Sequence, residues 1–155
     1  GQIQMNPENW RYYADNVWVD GKTDEIIAAL TPVFTTSPEP DAFTIWFGNG
    51  LMRELPDMAF SLQAPAYIAT YLAYEDSAND ARNRAWLNDA MVAAQPVTVG
   101  QYLGDSDMTN RQLRFMADGN FAKLQDIIAK RDPEGRFVRY LAKDASTVNR
   151  NHWEV

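Results

Sequence analysis

The sequence predicts an α+β fold in which an antiparallel sheet carries its helices on one face. Several short segments alternate apolar or aromatic residues with a period of two, and between them two segments repeat apolar residues at helical spacing. The strands cluster in the middle of the chain and are joined by hairpin-like links, which favours an antiparallel sheet over a doubly wound one. The expected element order is βαβββαβα.

The first strand is expected at 10–20, where alternation separates large aromatic residues from valines. One face carries Trp10, Tyr12, Ala14, Asn16 and Trp18. Val17 and Val19 lie on the other face, and we expect them to pack under the helices. The two faces of the sheet are therefore expected to have different roles.

The first helix is expected after a turn at Gly21, with Thr23 as its N-cap. Its apolar stripe consists of Ile26, Ile27, Leu30, Val33 and Phe34. Pro32 lies inside this stripe. Because proline has no N–H to donate, we expect a kink or an early end of the helix there.

Three strands follow, at 41–47, 58–62 and 67–74. We assign Trp46 and Tyr71 to the aromatic side of the sheet, together with Tyr12 and Trp18. A second helix is expected behind a capping box formed by Ser77 and Asp80. Its apolar face carries Leu87, Ala90, Met91 and Ala94. Pro96 ends this helix, and a fifth strand is expected at 97–103.

The closing segment, 119–140, reads as a helix, a turn and an anchored extension. Asp118 is the expected N-cap, and the apolar residues of the helix are Phe121, Leu124, Ile127 and Ile128. The sequence Asp-Pro-Glu-Gly at 132–135 fits a type I turn. Phe137 follows the turn and is expected to be a buried anchor.

The same closing segment resembles the C-terminal signature of FAD-linked oxidases of the berberine-bridge-enzyme-like type. The matching residues are Asn120-Phe121, Leu124, Asp132-Pro133, a glycine and Phe137. In that family an N-terminal domain binds FAD and a second, ferredoxin-like cap domain roofs the flavin. The resemblance therefore implies a C-terminal substrate-binding domain of a larger flavoprotein.

The resemblance also implies residues on the flavin side of the roof. A Y-x-N-Y stretch of the family matches 99–102, so that Gln101 takes the place of the Asn and Tyr102 that of the second Tyr. Together with Asn120, these residues are the expected cofactor contacts. Val99 takes the place of a catalytic Tyr and cannot move a proton, which leaves the base unassigned.

The aromatic side of the sheet is the expected substrate wall, because the helix stripes suffice to cover one face only and large apolar patches are rarely left in water. The expected substrate contacts are Tyr12, Asn16, Trp18, Trp46 and Tyr71. Tyr12 and Tyr102 are the candidate bases. An unperturbed tyrosine titrates near pH 10, so a base role needs a neighbour that lowers the pKa.

Composition excludes several other classes of function. The net charge of −7 is wrong for a nucleic-acid surface. No apolar run approaches the length of a membrane helix. Cysteine is absent, and the single histidine, His152, lies in a polar tail at 141–155, which removes histidine triads and two-histidine metal sites. We therefore expect no metal centre.

The length predicts a single domain over 1–155. Its expected partners are an N-terminal FAD-binding domain of the same protein and a small-molecule substrate, without which the chain alone is expected to be inert. A free-standing α+β ligand-binding module that forms a homodimer is the main alternative, and a small cofactor-free enzyme using Tyr and Asp is a third. Because the stretch from Gly1 to Asn9 is polar, no secretory signal is expected there, and the cytoplasm is favoured.

Overall fold

The computed structural model describes residues 8–48, 53–106, 111 and 113–137. One antiparallel sheet contains β1 (Arg11–Val19), β2 (Phe43–Gly48), β3 (Ala66–Tyr74) and β4 (Thr98–Gly100), in the order β2-β3-β1-β4. The helices are α1 (Thr23–Thr35), α2 (Asp80–Ala93) and α3 (Asp118–Arg131). The predicted α+β class is confirmed, with the order βαββαβα instead of βαβββαβα.

The core lies between α1, α2 and one face of the sheet, which we call the helix face. Val17 pairs with Ile68 across β1 and β3, and paired residues of neighbouring strands share a face. The core residues are Tyr13, Val17, Val19, Leu30, Val33, Ala66, Ile68, Leu72, Tyr74, Leu87, Ala90, Met91, Ala94 and Val97. The predicted packing of Val17 and Val19 under the helices is confirmed, as is the buried face of α2.

The helix α1 departs from the prediction at both ends. Lys22 occupies the N-cap position, and the Glu25 carboxylate accepts its backbone N–H at 3.4 Å. Pro32 does not end the helix early, because Thr36 N–H still donates to its carbonyl at 3.1 Å. Proline in the last turn loses one hydrogen bond only, and Leu30 and Val33 hold that turn on the sheet.

The strand predicted at 58–62 is wrong, because this part of the chain forms a loop. Phe60 is exposed while Leu62 is buried, and Ser61 N–H donates to Ala59 O at 3.0 Å in a tight turn. Alternating apolar residues are needed here to cover the sheet, not to pair with it. β2 and β3 are consequently neighbours in the sheet, and the loop between them packs against the face opposite the helices.

The strand predicted at 97–103 is confirmed only over Thr98–Gly100. A 3-10 turn precedes it at Gln95–Val97, and another follows at Leu103–Asp105. A side chain at Gly100 would place its Cβ 2.4 Å from the carbonyl oxygen of Arg114. Gln101 N–H donates to this same carbonyl at 2.7 Å. Because the two backbones approach so closely here, the pairing of β4 with β1 ends, and the 101–106 segment continues beneath β1.

The helix starts were also assigned to the wrong side chains. Asp76, not Ser77, accepts the free N–H of Ala78 at 2.8 Å before α2. Ala117 occupies the N-cap of α3, and Asp118 forms an ion pair with Arg114 at 3.0 Å instead. Before α2 the acidic residue one position away from the expected cap takes its role, whereas the N-cap of α3 has no side-chain hydrogen bond.

The turn after α3 is confirmed, but the anchor is wrong. Gly135 N–H donates to Asp132 O at 3.1 Å, and Gly135 has φ +64°. Phe137, however, is 71% exposed. The Asp132 carboxylate directs the chain by accepting the backbone N–H of Arg136 at 2.6 Å and of Phe137 at 3.3 Å. The turn is therefore held by a buried carboxylate and not by an apolar side chain.

The stripe of α3 is less buried than predicted. None of the residues of this helix, all of which the structure describes, is fully buried, and Ile127 is exposed. The helix contacts the 57–61 loop instead of joining the core under α1 and α2, which leaves its apolar side half in solvent.

Candidate ligand-binding face

The sheet face opposite α1 and α2, which we call the aromatic face, is formed by uncharged strand residues. They are Tyr12, Ala14, Asn16 and Trp18 of β1, Tyr67, Ala69, Tyr71 and Ala73 of β3, and Phe43, Ile45 and Phe47 of β2. The register aligns the large rings across the sheet. Trp18 pairs with Tyr67, which pairs with Phe47, and Tyr71 pairs with Phe43.

The rings of this face contact one another. Trp18 and Tyr67 have centroids 4.8 Å apart, and Phe43 stacks on Tyr71 at 4.8 Å. Phe60, from the loop after β2, lies 6.1 Å from Trp18. Aromatic pairs at these distances add to the free energy gained by burial. The aromatic face is therefore a packed layer and not a set of isolated side chains.

Tyr102 adds a ring that stands upright on this layer. Its plane is at 80° to Tyr67 and at 89° to Phe60, with centroids 6.3 and 5.7 Å away. Its ring passes directly over Gly104, where an added Cβ would lie 2.6 Å from it. Tyr102 is 40% exposed, so that one side of the ring meets solvent beside the layer.

The face assignments of Tyr12, Trp18 and Tyr71 are confirmed by the register. Tyr12 is 44% exposed, whereas Trp18 is only 8% exposed. Trp18 is buried by Leu62 and Ala64 of the loop, not by the helices. Trp10 lies just before β1 and is half-buried.

The face assignment of Trp46 is wrong. It pairs with Ile68, a residue of the helix-face core, and its ring lies 6.4 Å from that of Phe34 on α1. The alternation within β2 is as predicted, but alternation alone does not say which set of side chains faces the helices. The role of Trp46 as a substrate contact stays a prediction that its position does not support.

Asn16 is fully buried, and its amide binds the 101–106 segment. Tyr102 N–H donates to Asn16 Oδ1 at 2.7 Å, and Asn16 Nδ2 donates to Tyr102 O at 2.9 Å and to Ser106 Oγ at 2.7 Å. Arg111 closes the same edge of β1 by pairing with Asp15 at 2.7 Å. Asn16 thus fixes the backbone of Tyr102 through a pair of hydrogen bonds that imitates strand pairing.

Gln101 and Asn120 are the other expected cofactor contacts. Gln101 is fully buried. Asn120 Nδ2 donates to Met58 O at 2.8 Å and to Asp57 at 3.2 Å, and Lys123 pairs with Asp57 at 2.5 Å. In this structure Asn120 holds the loop that covers Trp18, and a flavin contact by either residue stays a prediction.

A polar centre lies on this face that the sequence pattern does not predict. Tyr67 Oη donates to Asp105 Oδ2 at 2.5 Å. Burial and a hydrogen bond to Asp105 together raise the pKa of Tyr71 to about 12, and the same causes raise the pKa of Tyr67 further. Alternation placed Tyr67 and Tyr71 on one side of β3, but no local pattern brings Asp105, from a segment 31 residues after β3, to them.

The raised pKa values of these tyrosines affect which residue can act as a general base. Both phenols stay protonated at neutral pH, and Tyr67 donates its hydrogen bond to Asp105. Partial burial also raises the pKa of Tyr12, which is the opposite of what a general base needs. A base role for Tyr12 or Tyr102 stays a prediction, and Asp105 is the carboxylate that the structure adds to the face.

The described residues show neither a metal-binding group nor a membrane-spanning helix. Across 8–48, 53–106, 111 and 113–137, no group of three or more acidic, histidine or cysteine side chains is arranged to hold a metal ion. In those same ranges no helix has the length and apolar character needed to cross a membrane.

The chain is similar in sequence to proteins that are named as FAD-linked oxidoreductases. No family model matches the chain. It is 28% identical over 141 residues to FAD-linked oxidoreductase nodO of Hypoxylon pulicicidum, with 90% of this chain and 31% of the relative covered. Its identity to FAD-linked oxidoreductase janO of Penicillium janthinellum is 29% over 134 residues, with 84% and 30% covered. FAD-linked oxidoreductase penO of Penicillium crustosum is 28% identical, with 84% and 29% covered.

The chain thus spans about a third of the length of the curated relatives it matches. Its similarity is to one part of proteins that are named as FAD-linked oxidoreductases, which agrees with the class of protein that the closing motif resembles.

Proposed function

We propose that this chain is the substrate-binding domain of an FAD-dependent oxidoreductase, and that its aromatic face forms the roof of the flavin and substrate pocket. The observation that carries the proposal is the contrast between the two faces of the sheet. Helices bury one face, whereas Tyr12, Phe47, Phe60 and Tyr102 remain partly in solvent on the other side. A large apolar surface of this kind marks a binding site.

The electrostatics of the helix ends favour a separate domain for the FAD phosphates. A pyrophosphate binds well at a helix N-terminus, where free N–H groups and the dipole attract anions. Each of the three described helices carries an acid in its first turn, namely Asp24 and Glu25 in α1, Asp80 in α2 and Asp118 in α3. These carboxylates repel a phosphate. An N-terminal domain of the same protein would hold that part of the cofactor.

The rings of the aromatic face fit the other part of the cofactor, because a planar apolar ring system packs well on aromatic side chains. FAD, when bound, supplies the electron-transfer chemistry. This chain would contribute shape, with Tyr12, Tyr71 and Tyr102 lining the pocket, and it would exclude water. Trp18 and Asn16 would support that lining from beneath, since both are buried.

The test uses the full-length protein and a matched pair of variants. Tyr102→Ala removes an exposed ring from the aromatic face, and Ile27→Ala removes an exposed apolar side chain from α1. We expect the absorbance bands of the bound flavin to shift in the first variant and to stay unchanged in the second. A full-length protein that purifies without flavin, or identical spectra in both variants, would refute the proposal.

A homodimer is a second candidate, favoured by one observation. β2 is an edge strand of the sheet and exposes Trp46 and Phe47, and exposed edges recruit further strands. Two copies pairing along β2 would form a continuous sheet. Light scattering of the full-length protein after size exclusion tests this, and a monomer whose mass is unchanged by Phe47→Lys would count against it.

A further inference from the structure

The hydrogen bond to Asp105 leaves part of its carboxylate available. A carboxylate has two oxygens and about four lone-pair sites. Tyr67 donates to Oδ2 at 2.5 Å. Asp105 is half-buried. It therefore retains acceptor capacity toward a ligand while the phenol of Tyr67 sets its position.

The two phenols cannot neutralise this carboxylate. Tyr67 donates a hydrogen bond to it, and both Tyr67 and Tyr71 remain uncharged at neutral pH because their pKa values are raised. The strand residues of the aromatic face carry no charge of their own. A negative charge thus stands among aromatic rings, in a setting where a cation is the complementary partner.

The rings around Asp105 also favour a cation. Tyr102 stands nearly perpendicular to Tyr67 and to Phe60, so that these rings form the sides of a corner instead of a flat stack. The face of an aromatic ring attracts a cation within about 6 Å, and recognition of ammonium groups by aromatic cages uses this attraction. Asp105 follows Tyr102 by three residues and closes the corner from the polar side.

We propose that the corner formed by Asp105, Tyr67, Tyr71 and Tyr102 binds the cationic nitrogen of an amine. This inference rests on the proposed function, because it names the class of molecule that the same aromatic face would hold as substrate. A neutral alcohol can bond to the carboxylate but gains nothing from the ring faces, so the corner should discriminate by charge.

The experiment measures binding by calorimetry with the full-length protein. The probe is choline, and its uncharged counterpart is 3,3-dimethylbutanol, which has the same shape. We expect choline to bind at least about tenfold more tightly than the alcohol. Asp105→Asn keeps the shape of the side chain and removes its charge, so this variant should lose the preference.

The controls separate charge at this corner from charge in general. Asp89→Asn removes an exposed carboxylate from α2 and should leave choline binding unchanged. Tyr67→Phe removes the 2.5 Å hydrogen bond to Asp105 and should weaken choline binding while the variant stays folded by circular dichroism. Equal affinity for the two probes, no binding of choline, or choline binding that survives Asp105→Asn would overturn the assignment.

The flavin content of the same samples reports on the proposed function separately. A flavin-containing protein without charge preference would overturn the amine assignment alone. A protein that lacks flavin but prefers choline through Asp105 would overturn the proposed function and support the amine site.

Discussion

The helix face and the aromatic face are formed by the same strands, but different parts of the chain cover them. On the helix face, α1 and α2 bury a continuous core that includes Ile68 and Leu72 at 0% exposure. On the aromatic face, the cover is a loop and a short segment after β4, and large rings remain partly in solvent. The core of the helix face is fully buried, whereas the aromatic face is covered only in part, and this difference is the reason for proposing the aromatic face as the binding site.

The largest loss of stability is expected from a substitution in the core of the helix face. Leu87→Ala removes a fully buried side chain beneath α2 and should lower the free energy of unfolding by about 2–5 kcal/mol. Urea denaturation measures the change. Val92→Ala on the exposed side of the same helix is the control and should change it by less than about 0.5 kcal/mol. Equal losses of stability in the two variants would mean that Leu87 does not belong to the core.

A substitution in the segments that cover the aromatic face should cost less stability. Gly100→Ala forces a Cβ to within 2.4 Å of Arg114 O and 2.3 Å of the Leu62 side chain. Overpacking of this kind costs about 1–3 kcal/mol. Gly119→Ala is the control, since nothing lies within 4 Å of its added Cβ. A Gly100→Ala variant as stable as the unmodified protein would show that the two backbones do not meet.

A smaller effect, confined to alkaline pH, is expected from Tyr71. Its pKa in the folded chain is about 12, above the ordinary value of 10.0. The folded state therefore binds the phenolic proton more tightly, and the resulting stability is fully present below pH 10 and is lost as pH rises toward 12. Ultraviolet titration of the phenolates, compared with Tyr71→Phe, measures this. Ionisation of Tyr71 at pH 10 would contradict the raised pKa that its partial burial near Asp105 causes.

The smallest effect is expected at Phe137. Because this side chain is 71% exposed, Phe137→Ala should change the free energy of unfolding by less than about 0.5 kcal/mol. Asp132→Ala removes the carboxylate that accepts two backbone N–H groups after α3 and should cost more. If the order of the two variants is reversed in urea denaturation, the apolar anchor inferred from the sequence was right after all.

Alternation was sufficient to predict the two faces of β1 and β3, because both strands lie in the centre of the sheet and each has a distinct set of residues toward the helices. It failed for Trp46, since β2 is an edge strand with rings on both sides and its face depends on pairing with Ile68. Alternation also misled at 58–62, where Phe60 and Leu62 cover a sheet that they do not join.

The candidate site was predictable only where local pattern determines it. Tyr12 and Tyr71 follow from strand period, but Asp105, the hydrogen-bond partner of Tyr67, comes from a 3-10 turn far along the chain. Because Asn16 shares a face with aromatic residues, the sequence predicts it as a ligand contact. Its amide is instead used by the backbone of Tyr102, a long-range contact that no spacing in the sequence encodes.

The most direct test of the open face is hydroxyl-radical footprinting of the full-length protein with its flavin bound and removed. Oxidation of side chains reports their exposure. We expect flavin to protect Tyr102 and Phe60 on the aromatic side, while Ile27 and Val92 on the two helices, exposed in this structure, are oxidised equally in both samples. Protection of Ile27 and Val92 without protection of Tyr102 and Phe60 would contradict the account.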